Sequence, residues 1–296
     1  MTEHVRRALQ REDQTASQSR EPDDAEPILL ERWVERPDGR MEQLLVPLTP
    51  EDYLNPRFGD KWLQGRIHSE QTPDVADRLR RWFRRRPEIL VLNDVKHFLG
   101  PGLPNPSPDV SVIRGARRPA RNLSSFRVVR QGVAPCLIIE MISPMDSRIR
   151  AVDEVDKVDI YQRAGVLEYL LVELPRRWLE DPYRIFGYRL DAARTYRPIV
   201  PDEDGRLLSE TTGLWFAVAP SGDGVVIHDA ATGKLLRTSL EEEEDREAAE
   251  ARAAAEAEAR QAAEKARQTA EAKAAAETEG RQAAEAEIAR LRKLLK

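Results

Sequence analysis

The chain has 296 residues, of which 47 are basic and 52 acidic, giving a formal net charge of −5, and it holds a single cysteine. One cysteine excludes an internal disulfide and fits a reducing compartment. No run approaches the roughly 18 apolar residues that cross a bilayer, and no apolar signal segment opens the sequence, so the expected location is the cytoplasm.

Residues 1–27 carry charges of both signs without hydrophobic periodicity and read as a disordered arm. Residues 28–239 read as one domain. In it, "ILLERWVERPDGRMEQLLV" predicts two strands around a Pro-Asp-Gly turn. "LTPEDYL" supplies Thr49 as N-cap, Pro50 at the first helical position and Asp52 at the capping-box spacing. A longer helix is expected from Thr72-Pro73 through "DVADRLRRWFRRR", with Val75, Leu79, Trp82 and Phe83 as its buried stripe and Pro87 as its stop. "EILVLNDVKHFLG", "PDVSVIRG", "APCLIIEMI" and "EYLLVEL" read as strands, with a helix of residues 151–164, closed by Gly165, between the last two. "YRIFGYRL", "TYRPIV", "GLWFAVAP" and "GVVIHDAATGKLL" read as further strands and hairpins. The order is mixed α/β with a strand–helix–strand unit at its centre.

Residues 240–296 differ in composition: from Glu241 onward they are nearly all Ala, Glu, Gln, Lys and Arg, without proline. These are strong helix formers, and such a rod would run about 84 Å. The tail carries a net charge of −4 and leaves −1 for the rest, so the acidic balance belongs to the tail and does not oppose nucleic-acid binding by the domain. Ile288, Leu291 and Leu295 alone offer a coiled-coil seam, which predicts weak homo-oligomerisation through this helix.

Chemistry concentrates in "CLIIEMISPMDSRIRAVDEVDKVDIY". A carboxylate inside a buried strand costs several kcal/mol unless something compensates it, and Glu140 stands among isoleucines and leucines. Asp109 opens the strand "DVSVI"; if the two strands pair, both acids meet at one sheet edge. Two carboxylates with open positions suit Mg²⁺, with Mn²⁺ as the alternative, and such a metal would serve phosphodiester hydrolysis. Asp153, Lys157 and Tyr161 are spaced four apart and share one helix face, which could aim an ammonium at the same edge. Blander readings stand beside these: Asp109 as a turn initiator, Lys157 as a solvated partner of Asp153, and Tyr161 as a core residue. Cys136 reads as a small buried residue, Ser143-Pro144 as the strand's end, and "RLRRWFRRR" as a solvated helix face.

"SPDVSVI", "PCLIIEMISP", "VDKVDIYQRAGVLEYLLVELP" and "GLWF" resemble the Uma-two family of restriction endonucleases, within the PD-(D/E)xK nuclease superfamily, over residues 45–220. The resemblance implies a restriction-endonuclease-like mixed sheet flanked by helices and a metal-dependent endonuclease acting on DNA. By position, Asp109 matches the first acid of the motif, Glu140 the second and Lys157 the lysine. It also implies that His68 lines the cleft, although a surface histidine fits equally. The superfamily's lysine stands two residues after the second acid, where this chain has Ile142, so Lys157 would be supplied from the helix. A catalytically silent nucleic-acid-binding protein and an oligomerising scaffold remain alternatives.

Overall fold

The structure, a computed structural model, describes residues 28–62, 65–116, 123–142, 146–175 and 181–294. The expected arm of residues 1–27 and the Ser143-Pro144 turn lie outside them. The chain divides into two compact units, Met1–Thr238 and Ser239–Lys296.

The first unit is built on a mixed six-stranded sheet. Its strands are β4 (Ile89–Asn93), β6 (Val110–Arg114), β8 (Leu137–Ile142), β9 (Glu168–Glu173), β10 (Arg184–Leu190) and β11 (Tyr196–Pro198), in the order β11-β10-β9-β8-β6-β4. Only β8 and β9 pair in parallel within it; the other neighbours are antiparallel. A parallel pair needs a crossover, and the expected helix supplies it. That helix starts four residues earlier than expected, as α4 (Ser147–Ala151), because Asp146 caps it by accepting the Arg148 N–H at 3.0 Å. A π-helical turn, Val152–Asp156, joins it to α5 (Lys157–Ala164). Gly165 ends α5 with φ 78°, a left-handed conformation that glycine adopts without strain.

One face of the sheet packs Val110, Val112, Leu137, Ile139, Met141, Leu170 and Val172 against α2 (Arg66–Trp82) and a small sheet. That sheet comprises β12 (Leu207–Ser209), β13 (Leu214–Val218) and β14 (Val225–Asp229). The other face packs Ile138, Ile142, Tyr169 and Leu171 against Ile160 and Tyr161 of α5. The expected hairpin is β1 (Leu29–Glu35) with β2 (Met41–Pro47), and β3 (Lys61–Trp62) joins β1 on its free side. Thr49 caps α1 (Pro50–Leu54), accepting the Asp52 N–H while its hydroxyl donates back to the Asp52 carboxylate. A parallel pair, β5 (Lys96–Phe98) and β7 (Ser125–Arg127), and a single turn, α3 (Val128–Gln131), complete the unit. Elements of two to four residues such as these carry too short a pattern to be read from sequence.

Two boundaries differ from expectation. α2 begins at Arg66, so Pro73 lies inside it and does not open it. Proline there forfeits one N–H bond, yet its ring faces solvent while Ile67, His68 and Thr72 pack inward, and their burial holds the earlier turns. The helix also stops at Trp82, ahead of Pro87. The arginine run is not uniformly solvated: Arg84, Arg85 and Arg86 are exposed, whereas Arg78 is buried and donates to the Leu236 carbonyl at 2.7 Å.

The second unit is one helix, α6 (Ser239–Leu294), of 56 residues. Ion pairs at helical spacing lie along it, among them Glu256–Arg260, Arg267–Glu271 and Arg281–Glu285. Such pairs add a few tenths of a kcal/mol each and suit a helix that stands on propensity. Ile288 is half exposed, and the side chains of Leu291 and Leu295 lie outside the described residues. A chain ending at Leu240 is expected to keep the cooperative melt of the first unit within about 2 °C, since its core clusters all lie before that residue. Loss of cooperativity in calorimetry would show that the helix is needed for folding.

Candidate functional site

All six side chains of β8 are buried. Alternation sends Leu137, Ile139 and Met141 toward α2 and puts Glu140 on the α5 face with Ile138 and Ile142. The β6–β8 register pairs Val110 with Ile139, so Asp109, just ahead of β6, stands across from Glu140. The Asp109 N–H donates to Glu140 Oε2 at 3.3 Å, and the Met141 N–H donates to Asp109 Oδ2 at 2.6 Å. The two acids are thus locked together by the strand backbone itself.

From α5, Lys157 Nζ lies 2.9 Å from Glu140 Oε1 and 2.7 Å from Asp153 Oδ1. The Tyr161 hydroxyl donates to Glu140 Oε1 at 2.8 Å. Asp153 on the π-helical turn and Lys157 and Tyr161 on α5 all lie against the sheet, each no more than 1% exposed. Lys157 is therefore not a solvated helix lysine. From α2, His68 Nε2 stands 3.2 Å from Asp109 Oδ1. His68 is buried within the helix, so the surface reading does not hold. The structure brings all six sequence-identified residues (Asp109, Glu140, Lys157, His68, Asp153 and Tyr161) into one cluster. Cys136 is buried apart from it, its thiol donating to the Val112 carbonyl.

Other members were not identified from the sequence. The Tyr53 hydroxyl donates to Asp153 at 3.2 Å, and its ring centroid lies 4.1 Å from Lys157 Nζ, a cation–π contact. Tyr169 donates to the Asp153 carbonyl at 3.0 Å. Asp94, between β4 and β5, has φ 52°, and its N–H points at the Pro108 and Asp109 carbonyls. Behind Asp109, the buried His97 lies with Nδ1 2.6 Å from the Val95 carbonyl and Nε2 3.0 Å from Ser111 Oγ. A carbonyl only accepts, so Nδ1 carries the proton; burial pushes this imidazole down to about 4, and it stays neutral.

The cluster is rich in acid: Asp94, Asp109, Glu140 and Asp153 stand with His68 and Lys157, and Arg80 acts on Asp94 as well. Burial pushes the Glu140 carboxyl up to about 8; Lys157 opposes this and the Asp109 and Asp153 charges add to it. Burial would lower His68, but the Asp109 charge overrides it and raises the imidazole to about 9. Asp109 is held below its ordinary value by His68, the Met141 N–H and Lys157, against the effect of burial. Asp94, whose side chain still reaches water, is pushed up to about 6 by the surrounding protein and by Asp109.

A pH dependence follows. Unfolded, Glu140 loses its proton near 4.5, whereas the folded chain holds it to about 8; His68 holds its proton to about 9 against 6.5. Across those windows the folded state binds more protons, so stability falls as pH rises. In buffer containing a chelator, the melting temperature is expected to be higher at pH 6 than at pH 9. Scanning calorimetry at both values checks this, and an equal or inverted order would contradict the electrostatics described.

Residues 62–219 match the model of the Uma2 family, described as "Putative restriction endonuclease". The chain belongs to this family. A crystal structure from Anabaena variabilis ATCC 29413, described as a "putative nuclease belonging to DUF820", is also similar. Its identity is 17%, over 60% of this chain and 78% of that one, with a TM-score of 0.33. No curated protein matches the chain. The Uma2 match contains Asp94, Asp109, Glu140, Asp153, Lys157 and Tyr161, while Tyr53 precedes it and reaches the cluster from α1. No helix among the described residues is long and apolar enough to cross a membrane.

Proposed function

We propose that this Uma2 protein is a Mg²⁺-dependent endonuclease that hydrolyses phosphodiester bonds of DNA at the Asp109–Glu140 edge. The observation that carries this reading is the pairing of those two carboxylates across β6 and β8, with a buried ammonium 2.9 Å from one of them.

Among the described residues no group of three or more His, Cys, Asp and Glu side chains is arranged to hold a metal. A magnesium site of the nuclease kind needs fewer, since Mg²⁺ keeps waters and takes one or two carboxylates plus substrate phosphate oxygens. Asp109 and Glu140 fit that donor set, and the surplus of acid around them favours a bound cation. A metal bound there would polarise the phosphate and lower the pKa of an attacking water. Mn²⁺ fits the same oxygen donors.

The chain's own groups hold this centre rigid. His68 and the Met141 N–H each engage one oxygen of Asp109, and Tyr161 with Lys157 engages Oε1 of Glu140. Ile142 leaves the superfamily's lysine position apolar, and Lys157, supplied from α5, would take that role. Because it is 1% exposed, its charge acts on a phosphate through the field at the carboxylates and not by direct contact. Asp153 and the Tyr53 ring keep the ammonium in place.

The test is cleavage of a supercoiled plasmid and a single-stranded circle by purified protein with Mg²⁺, with Mn²⁺ or with EDTA. Cutting with either metal and none with EDTA supports the reading. No cutting under any condition passes it to the catalytically silent binder.

A further inference from the structure

Beside the carboxylate cluster lies a cleft of about 640 Å³ lined by Pro56–Trp62, Asp94, Lys96, Phe98, Ser107, Ser124, Ser125 and Arg127. Asp94 lines the cleft and interacts electrostatically with Asp109, so the cleft adjoins the proposed reaction centre. Four cations line it: Arg57, Lys61, Lys96 and Arg127. Of its two acids, Asp60 is already gripped by Arg32, whose Nε donates to Oδ1 at 2.9 Å, which leaves the wall positive. Phe58 is 100% exposed, an arrangement that costs apolar hydration and gains nothing within the fold. Phe98 carries the Arg127 guanidinium at 3.8 Å from its ring centre. A second hollow, of about 330 Å³, lies beyond this Arg127–Phe98 pair and includes Arg130. The two hollows share Phe98 and Arg127 and form a track lined by cations and by the uncovered Phe58 ring.

We propose that this track binds an unpaired strand of DNA flanking the scissile phosphate, with a base stacked on Phe58 and the backbone on Arg57, Lys61, Lys96 and Arg127; the position of the scissile bond rests on the nuclease reading above. Cationic grooves with aromatic stacking platforms suit single strands, because every base offers a face once it is unpaired. In a duplex those faces are covered by neighbouring bases. The cleft lies in the size range of small-ligand sites, about 300–1,000 Å³, which admits a nucleotide; a duplex is too wide to enter it. Placing an unpaired flank here would also explain why an apolar ring is left in water next to a polar reaction centre.

The test is fluorescence anisotropy of the full chain in EDTA with a labelled oligonucleotide of about a dozen nucleotides, single-stranded or annealed as a blunt duplex. Wild type is expected to bind the single strand more tightly. Phe58→Ala should weaken that binding by about 5- to 150-fold, the effect of losing one stacked base, and leave the melting temperature unchanged because the ring makes no core contact. Arg127→Ala should reduce the slope of log affinity against log salt by about 0.7, one phosphate contact on a single strand. Preference for the duplex, or unchanged affinity in Phe58→Ala, would overturn the proposal. Those results would leave metal-dependent cleavage standing, while single-strand binding through Phe58 by a protein that cuts nothing would leave the track and remove the reaction.

Discussion

Glu140→Gln is expected to abolish cleavage while the chain stays folded and its metal-free melting temperature holds or rises. Glutamine keeps the shape and one oxygen acceptor for Tyr161 and Lys157 but removes the charge that would hold a cation. Loss of an outer partner of a metal site typically costs about 10–100-fold, so loss of a direct ligand should exceed about 100-fold. Stability moves the other way because Glu140 is buried among Ile138, Ile142 and Tyr169 in a cluster with surplus acid. Above about pH 8, where Glu140 is ionised, removing its charge relieves repulsion from Asp109 and Asp153; below that the carboxyl already holds a proton and glutamine changes little. A melt lowered by many degrees, with any cleavage intact, would instead make Glu140 a structural member of the Lys157 ion pair.

Lys157→Met should be the most destabilising single change in the site. The ammonium is buried and is shared between Asp153 and Glu140, with Tyr53 over it. Methionine fills most of the volume but leaves both acids without their cation, and breaking a buried pair in this way costs about 3–5 kcal/mol. In a domain of this size that lowers the melting temperature by about 6–20 °C. The loss should shrink at acidic pH, where the acids can take protons, and the Glu140→Gln/Lys157→Met double variant should recover part of it. Calorimetry of both variants at pH 5 and pH 8 measures each effect. A Lys157→Met protein as stable as wild type would show that the ammonium is not holding the carboxylates.

The central strand–helix–strand unit and its acids were legible because their signals are local and strong. An unbroken apolar run with one carboxylate predicts a buried strand with something to compensate, and spacing by four puts Asp153, Lys157 and Tyr161 on one face. The start of α2 was not legible: Pro73 looks like a helix opener, and only the tertiary packing of Ile67, His68 and Thr72 reveals the two turns before it. Tyr53 and Asp94 were missed for a different reason. Each reaches the cluster across a long sequence separation, Tyr53 to Asp153 spanning 100 residues, and no pattern within "LTPEDYL" or "VLNDV" marks the contact. The π-helical turn was likewise invisible, since its sequence reads as ordinary helix.

Metal-dependent cleavage at the Asp109–Glu140 edge is tested most directly by the cleavage rates of wild type and Asp109→Asn, purified side by side and assayed with Mg²⁺ on the same single-stranded and plasmid substrates. Asp109 engages His68 on one oxygen and the Met141 N–H on the other, so asparagine keeps much of its contacts but not its charge. Wild type is expected to cut with Mg²⁺, and Asp109→Asn to cut more than about 100-fold more slowly with its fold retained by circular dichroism. Equal rates in the two proteins, or no cutting by either, would contradict cleavage at this edge.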